Sequence, residues 1–317
     1  MAQSQGLTEG FIPDEITLVE YLKRIEADYF ENPYHNSWHA ADVVQATNYG
    51  ILTAAKHVKF PRLARFSAII AAAVHDVGHL GVNNAFLITT SHPLALQYSD
   101  RSPLEMMHAN KAFSIMLKPN CNILHKFPNN DDRVAIRKMV LSMVLSTDNA
   151  NHSALIESFT RMRVSDAMNL DENANDQQTV LNMLLHSMDV SNVARPWAVS
   201  RKWLELITIE FYAQGDAERS AGITVTPIMD RKSTTPMSQL QTGFITFVVK
   251  PLFVELNNAG FDVVDPMTCI EANLSSWASV SSGQSVLSAV DVSNGYKSPA
   301  FIETVSWRFR TSQRLSL

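Results

Sequence analysis

The chain has 317 residues, of which 46% are hydrophobic and 18% charged, the balance of a globular protein rather than a disordered or fibrous one. A net charge of −5, with no run of Lys and Arg able to form a polyanion-binding stripe, removes nucleic acid from the expected partners. No apolar run approaches the roughly 18 residues of a membrane span, the N-terminus lacks the basic and apolar regions of a signal peptide, and Cys121 and Cys269 show no metal-finger or CxxC spacing; together these predict a cytoplasmic protein with reduced thiols.

In chain order, the first informative stretch is YHNSWHAAD, Tyr34–Asp42, where His35 and His39 stand four apart. PRLARFSAIIAAAVHD follows, with Pro61 suited to a first turn and apolar side chains at Leu63, Phe66, Ile70 and Val74; this spacing predicts a buried helix. That helix runs into a second pair four apart, His75 and His79, with Asp76 beside the first. Similar periodicity predicts helices over 104–117, 134–145, 179–188, 197–212 and 241–256, and no segment alternates with a two-residue period between hairpin turns. With only 11 glycines, the expected fold class is all-α. The polar stretch DENANDQQ, Asp171–Gln178, reads as an interhelical loop, and 214–239 as an extended loop bordering a site. Residues 281–299 read as the edge of the domain, with WRFRTSQ beyond them as a terminal helix or tail.

On a helix, side chains four apart share a face, so each histidine pair is expected to place two imidazoles in one volume. A single HxxxH arises by chance about as often as not. Two of them, with Asp76 at the end of an apolar helix where an ionisable group is costly to bury unless paired or coordinated, point instead to a metal site. Mixed imidazole and carboxylate donors suit zinc, iron or manganese, and a bridging carboxylate suits two ions that share an activated water. Asp189, at the end of the apolar run TVLNMLLHSMD, supplies the further carboxylate.

HDVGHLGVNN fits the pattern HDxxHxxxxN, and YHNSWHAAD, STD at 146–148, HSMDVSN at 186–192, FYAQGD at 211–216 and LQTGFI at 240–245 fall in an order and spacing that resembles class I cyclic nucleotide phosphodiesterase catalytic domains. The resemblance extends from about Tyr21 to Trp277. It implies a single catalytic domain over 1–317 with its core at 21–277, a compact multi-helix fold of the HD superfamily with a deep binuclear metal pocket. The implied reaction is hydrolysis of the 3′ phosphoester of cAMP, and on the wider reading cGMP, to the 5′-nucleoside monophosphate by a hydroxide shared between two divalent ions. By resemblance, His39, His75, Asp76 and Asp189 hold zinc at a tight site, and Asp76 bridges to magnesium or manganese at a second.

The same resemblance makes His35 the general acid, Glu105 the carboxylate that keeps His35 charged, and His79 and Asp148 partners of the second ion's waters. It also makes Gln241 the amide that reads the purine edge, Phe244 and Ile207 the clamp on its two faces, and Asn192 and Tyr34 the pocket's rim. Gly78 stands where most relatives carry an acidic residue, and Ser200 and Leu204 where adenine-selective relatives carry Tyr and a polar side chain, which widens the expected purine pocket. Several linking positions differ from the best-known animal enzymes, which points to a distant branch, a protozoan one. Two other readings stand beside this one. Another HD-type phosphohydrolase, such as a nucleotidase, accounts for the metal donors but not for Gln241, Phe244 and the YHN segment together; a nucleotide-sensing module without catalysis is opposed by the complete donor set and by His35. Oligomeric state and regulatory context are not encoded in any motif.

Overall fold

A computed structural model describes residues 15–54, 60–125, 127–165 and 173–280. They form α1 (Glu15–Ala27), α2 (Ser37–Thr53), α3 (Arg62–Val74), α4 (Asn84–Thr89), α5 (Pro93–Gln97), α6 (Pro103–Met116), α7 (Asn130–Leu145), α8 (His152–Val164), α9 (Ala174–Asp189), α10 (Trp197–Ser220), α11 (Met237–Phe244), α12 (Lys250–Asn258) and α13 (Val264–Ser279). No strand occurs among the described residues; an isolated β-bridge joins Ala54 to Phe261. The fold is all-α. All described residues belong to one contact unit. No helix among the described residues is long and apolar enough to cross a membrane.

The sequence of α3, RLARFSAIIAAAV, carries small or apolar side chains on almost every face, so the helix can only be central. It packs against α2, α7 and α9, with α1 and α6 completing the ring. Phe66, Ile69 and Ile70 are buried there, each worth roughly 1.5–3 kcal/mol relative to exposure. The alanines between them let the neighbours approach. On α2, a Cβ at Gly50 would fall 2.5 Å from Leu184 Cδ1, so α2 and α9 are in close contact at that point. This approach holds the two helices that carry His39 and Asp189.

Three expected boundaries differ. Residues 174–178, read as loop from their polar composition, form the first turns of α9, capped by Asn173 Oδ1, which accepts from the N–H groups of Asn175 and Asp176. These turns are polar because they face solvent. The loop expected over 214–239 is shorter at both ends: α10 continues to Ser220 and α11 starts at Met237. Gln214 and Glu218 are buried there and bond each other at 2.9 Å, which explains a helix where the polar letters suggested none. The helix expected over 241–256 is interrupted by a π-turn, Ile245–Val249, just before Pro251, whose missing N–H weakens regular propagation. The expectations for 281–299 and WRFRTSQ lie outside the described residues.

Candidate active site

Helix α3 ends at Val74, and the chain leaves it through a turn carrying His75, Asp76 and His79. The phenol of Tyr29 fixes this exit: Tyr29 Oη donates to Ala73 O at 3.1 Å and accepts from the Asp76 N–H at 3.4 Å. Gly78 has φ +76° in the turn, and a Cβ there would lie 2.5 Å from Lys111 Cε, so a residue without a side chain fits. Upstream, Asn36 Oδ1 accepts from the N–H groups of Trp38 and His39 and starts α2, leaving His35 outside that helix.

The helical geometry expected within each HxxxH is absent, because His35 precedes α2 and His79 follows α3, yet the His35 and His39 rings still meet edge to face with centroids 5.9 Å apart. Closer pairs form across the two segments. The His35 and His79 rings stack with centroids 3.9 Å apart at 19°, while His39 faces His75 at 5.2 Å. His108, a residue that no motif singled out, extends the first stack, 5.7 Å from His79.

His39, His75, Asp76 and Asp189 converge on one point. His75 Nδ1 bonds Ala72 O at 2.9 Å, which turns Nε2 toward the cluster. That nitrogen is 3.4 Å from His39 Nε2, 3.2 Å from Asp189 Oδ1 and 3.2 Å from Asp76 Oδ2. His39 Nε2 lies 2.9 Å from Asp189 Oδ1 and 3.6 Å from Asp76 Oδ2. Four donors around one ion at bond lengths of about 2.0–2.2 Å would stand roughly 3.3–3.6 Å apart in a tetrahedron, so the nitrogen and oxygen set fits a divalent ion. Burial alone would raise the pKa of Asp76 and Asp189, but the facing imidazoles, His75 first, hold both carboxylates below their ordinary range. Asp76 also turns its other oxygen, Oδ1, toward His108 Nε2 at 3.7 Å, and Asp76, His79 and His108 form a second group with donors close enough to share an ion.

Beside the cluster, His35 Nδ1 is hydrogen-bonded to Glu210 Oε1, and Glu210 Oε2 accepts from the N–H groups of Tyr34 and His35, each at 3.1 Å. Burial disfavours the His35 charge, but the Glu210 carboxylate outweighs it, so the imidazole pKa is raised. Glu210 in turn is held down at about 2, His35 overcoming the effect of burial. His79 is pushed well down by burial and by the neighbouring His35; its Nδ1 accepts from the Gly81 N–H at 3.0 Å.

Glu105 does not occupy the place expected of it on His35. Its carboxylate accepts from Asn84 Nδ2 at 2.8 Å, because the first turn of α6 packs against α4 and α5, and burial lifts its pKa to about 7. The carboxylate on His35 comes from the buried face of α10. That face carries Trp203, Leu206, Glu210 and Gln214 at spacings of three and four, a pattern present in the sequence. Asp148 accepts from Ser102 Oγ at 2.8 Å and from the Ala150 N–H at 2.9 Å.

Of the expected purine-pocket residues, Tyr34 is buried in a cluster with Trp203 and Leu206, against which Ile207 packs, and Asn192 Nδ2 donates to Tyr34 Oη. Gln241 is buried and Phe244 half-buried on α11, whose helix packs on α13. Ser200 and Leu204 are buried on α10.

Comparison with known proteins places these elements in context. Residues 34–269 match the sequence model of the 3′5′-cyclic nucleotide phosphodiesterase family. The chain is 39% identical over 257 residues to mouse 3′,5′-cyclic-AMP phosphodiesterase 4C, covering 79% of this chain and 37% of that protein. It is 37% identical over 253 residues to isoform F of the Drosophila melanogaster 3′,5′-cyclic-AMP phosphodiesterase, covering 78% of this chain and 38% of that one. The chain thus spans well under half the length of either protein. The crystal structure of the phosphodiesterase domain of Salpingoeca rosetta rhodopsin phosphodiesterase superposes with a TM-score of 0.82 at 31% identity, covering 87% of this chain and 84% of that one.

Proposed function

Because the chain belongs to the 3′5′-cyclic nucleotide phosphodiesterase family, we propose that it hydrolyses the 3′ phosphoester bond of cyclic nucleotides, cAMP first and cGMP with it, to the 5′-nucleoside monophosphate. The observation that carries this reading is the convergence of His39, His75, Asp76 and Asp189 beside an imidazole whose Nδ1 is engaged by a carboxylate. The names of the mouse and fly relatives make cAMP the first substrate to test.

In this reading His39, His75, Asp76 and Asp189 would hold the tight ion, zinc, and Asp76 would also serve a second, mostly hydrated magnesium or manganese. When bound, two such ions supply Lewis-acid charge at the phosphate and bring the pKa of a water toward neutrality. His35 is the proton donor: with Nδ1 committed to Glu210, its Nε2 gives a proton to the departing O3′. Glu210 takes over the duty first assigned to Glu105. His79 and Asp148 serve as hydrogen-bond partners of the second ion's waters. Gln241 presents a donor and an acceptor to the purine edge, Phe244 and Ile207 bracket the ring, and Asn192 and Tyr34 border it. The same reading makes 21–277 the core of one catalytic domain. Its site of action is the cytoplasm, whose reducing conditions suit the free thiols of Cys121 and Cys269.

The test follows cAMP and AMP separately by chromatography, with and without a chelator. Chelator-sensitive loss of cAMP with AMP left intact is the expected result. Consumption of AMP would favour an HD-type nucleotidase, and binding without turnover of either would favour a sensing module.

A further inference from the structure

We infer that Asn32 is a positioning residue, a carboxamide clamp that holds the His35 loop against the turn bearing His79 and so keeps His35 seated on Glu210. The inference rests on the reading of His35 as proton donor. His35 lies in an irregular stretch between α1 and α2, so no helical hydrogen bonds fix its backbone. Asn32 Nδ2 donates to His35 O at 2.9 Å and to His79 O at 2.7 Å. Both hydrogens of one planar amide are thus spent on the carbonyls of the two residues whose rings stack at 3.9 Å.

The same residue is tied to α2. Its backbone carbonyl accepts from Asn36 Nδ2 at 2.8 Å, and Asn36 Oδ1 caps the helix that presents His39. Its own Oδ1 lies 3.2 Å from where a Cβ on Gly81 would sit, so the turn after His79 comes close over the clamp. His35 is therefore held at three points: Nδ1 and the backbone N–H on Glu210, and the carbonyl on Asn32. Without the amide, two carbonyl oxygens on the facing segments lose their shared donor, and nothing else in the loop links His35 to His79 through the backbone. A proton donor displaced by about 1 Å can lose on the order of 100-fold in rate.

The experiment compares wild type, Asn32→Asp, Asn32→Ala and His35→Ala, each loaded with zinc and magnesium, on cAMP and on an analogue with sulfur in place of the 3′ oxygen. A thiolate departs without protonation, so the analogue bypasses the acid. Asn32→Asp keeps the shape but loses both N–H donors. For it, kcat on cAMP should fall about 10- to 100-fold. KM, ion content and kcat on the sulfur analogue should stay within about threefold of wild type. Asn32→Ala is read the same way and covers the case in which the aspartate variant does not fold. Equal slowing on both substrates, or unchanged kcat on cAMP, overturns the clamp. If His35→Ala itself leaves cAMP turnover intact, the reading of His35 fails and takes the clamp with it, a result distinct from failure of Asn32 alone.

Discussion

Replacing Glu210 with glutamine keeps the shape of the side chain and removes its charge, and the structure fixes what that charge does. The Glu210 carboxyl sits at about 2 against an ordinary 4.5, a gap worth about 3 kcal/mol at 1.36 kcal/mol per unit. That stabilisation is shared between the His35 ring and the two backbone N–H groups on Oε2. Linkage is reciprocal, so whatever the imidazolium gives the carboxylate it receives back. If half belongs to the ring, the variant loses about 1.7 kcal/mol of imidazolium stability, a factor on the order of ten. A glutamine amide facing Nδ1 would moreover donate to it, which favours the neutral ring. His35 has a raised pKa and acts protonated, so activity is retained below that pKa and falls as pH rises through it. The alkaline limb of the kcat profile should therefore move to lower pH in Glu210→Gln, with kcat on the alkaline side reduced about tenfold relative to wild type and much of the loss restored as the pH falls. Steady-state kinetics with both ions saturating, between about pH 6 and pH 9, measure this directly. An alkaline limb that stays in place, with kcat intact, refutes the coupling.

Asp189→Ala leaves His39 and His75 facing each other without the carboxylate that lies 2.9 and 3.2 Å from their Nε2 atoms; tight-ion affinity should fall by at least about 100-fold, and full zinc content after dialysis would contradict the assignment. For Glu105 the sign is set by a folded pKa of about 7, raised mainly by burial above 4.5. The protonated form stabilises the fold at pH below the unfolded value, and that contribution is lost as pH rises through about 7. Metal-stripped Glu105→Gln, which cannot ionise, should thus exceed wild type in stability near pH 8 by up to about 3 kcal/mol and match it near pH 4.5; denaturant melts that show no pH-dependent difference would count against this. Tyr29→Phe removes the hydroxyl shared by Ala73 and Asp76 and should cost about 1–2 kcal/mol in chemical denaturation while the protein still folds. A change within error would mean that another group serves these two backbone atoms.

The helices were legible where their chemistry is repeated along the chain. The small and apolar run Phe66–Val74 of α3 announces a central helix, and the apolar run of α9 ending in Asp189 announces a carboxylate that needs a partner. Polar helix ends were not legible: the first turns of α9 and the last of α10 share their composition with loops, and only the Asn173 cap and the Gln214–Glu218 bond mark them as helix. Residue types and spacing nominated His35, His39, His75, His79, Asp76 and Asp189 as candidate donors, and the family resemblance narrowed them to His39, His75, Asp76 and Asp189.

Which imidazole faces which was a different kind of question. Spacing of four implies a shared face only while the backbone stays helical, and it does so at neither pair: α3 has ended at His75, and α2 does not begin until Ser37. Once the helix is absent, the orientation of His35 depends on groups far along the chain, Glu210 on α10 and the turn at His79. Glu105 and Glu210 are both buried glutamates on packed helices, so composition gives no reason to prefer one. The choice is made by packing: α6 delivers its carboxylate to Asn84 beside α4, whereas the buried stripe of α10 passes under the loop that carries Tyr34 and His35. A proton donor placed in a loop therefore takes its pKa and its aim from tertiary partners, and substitutions at those partners should change catalysis before they change the ions or the fold.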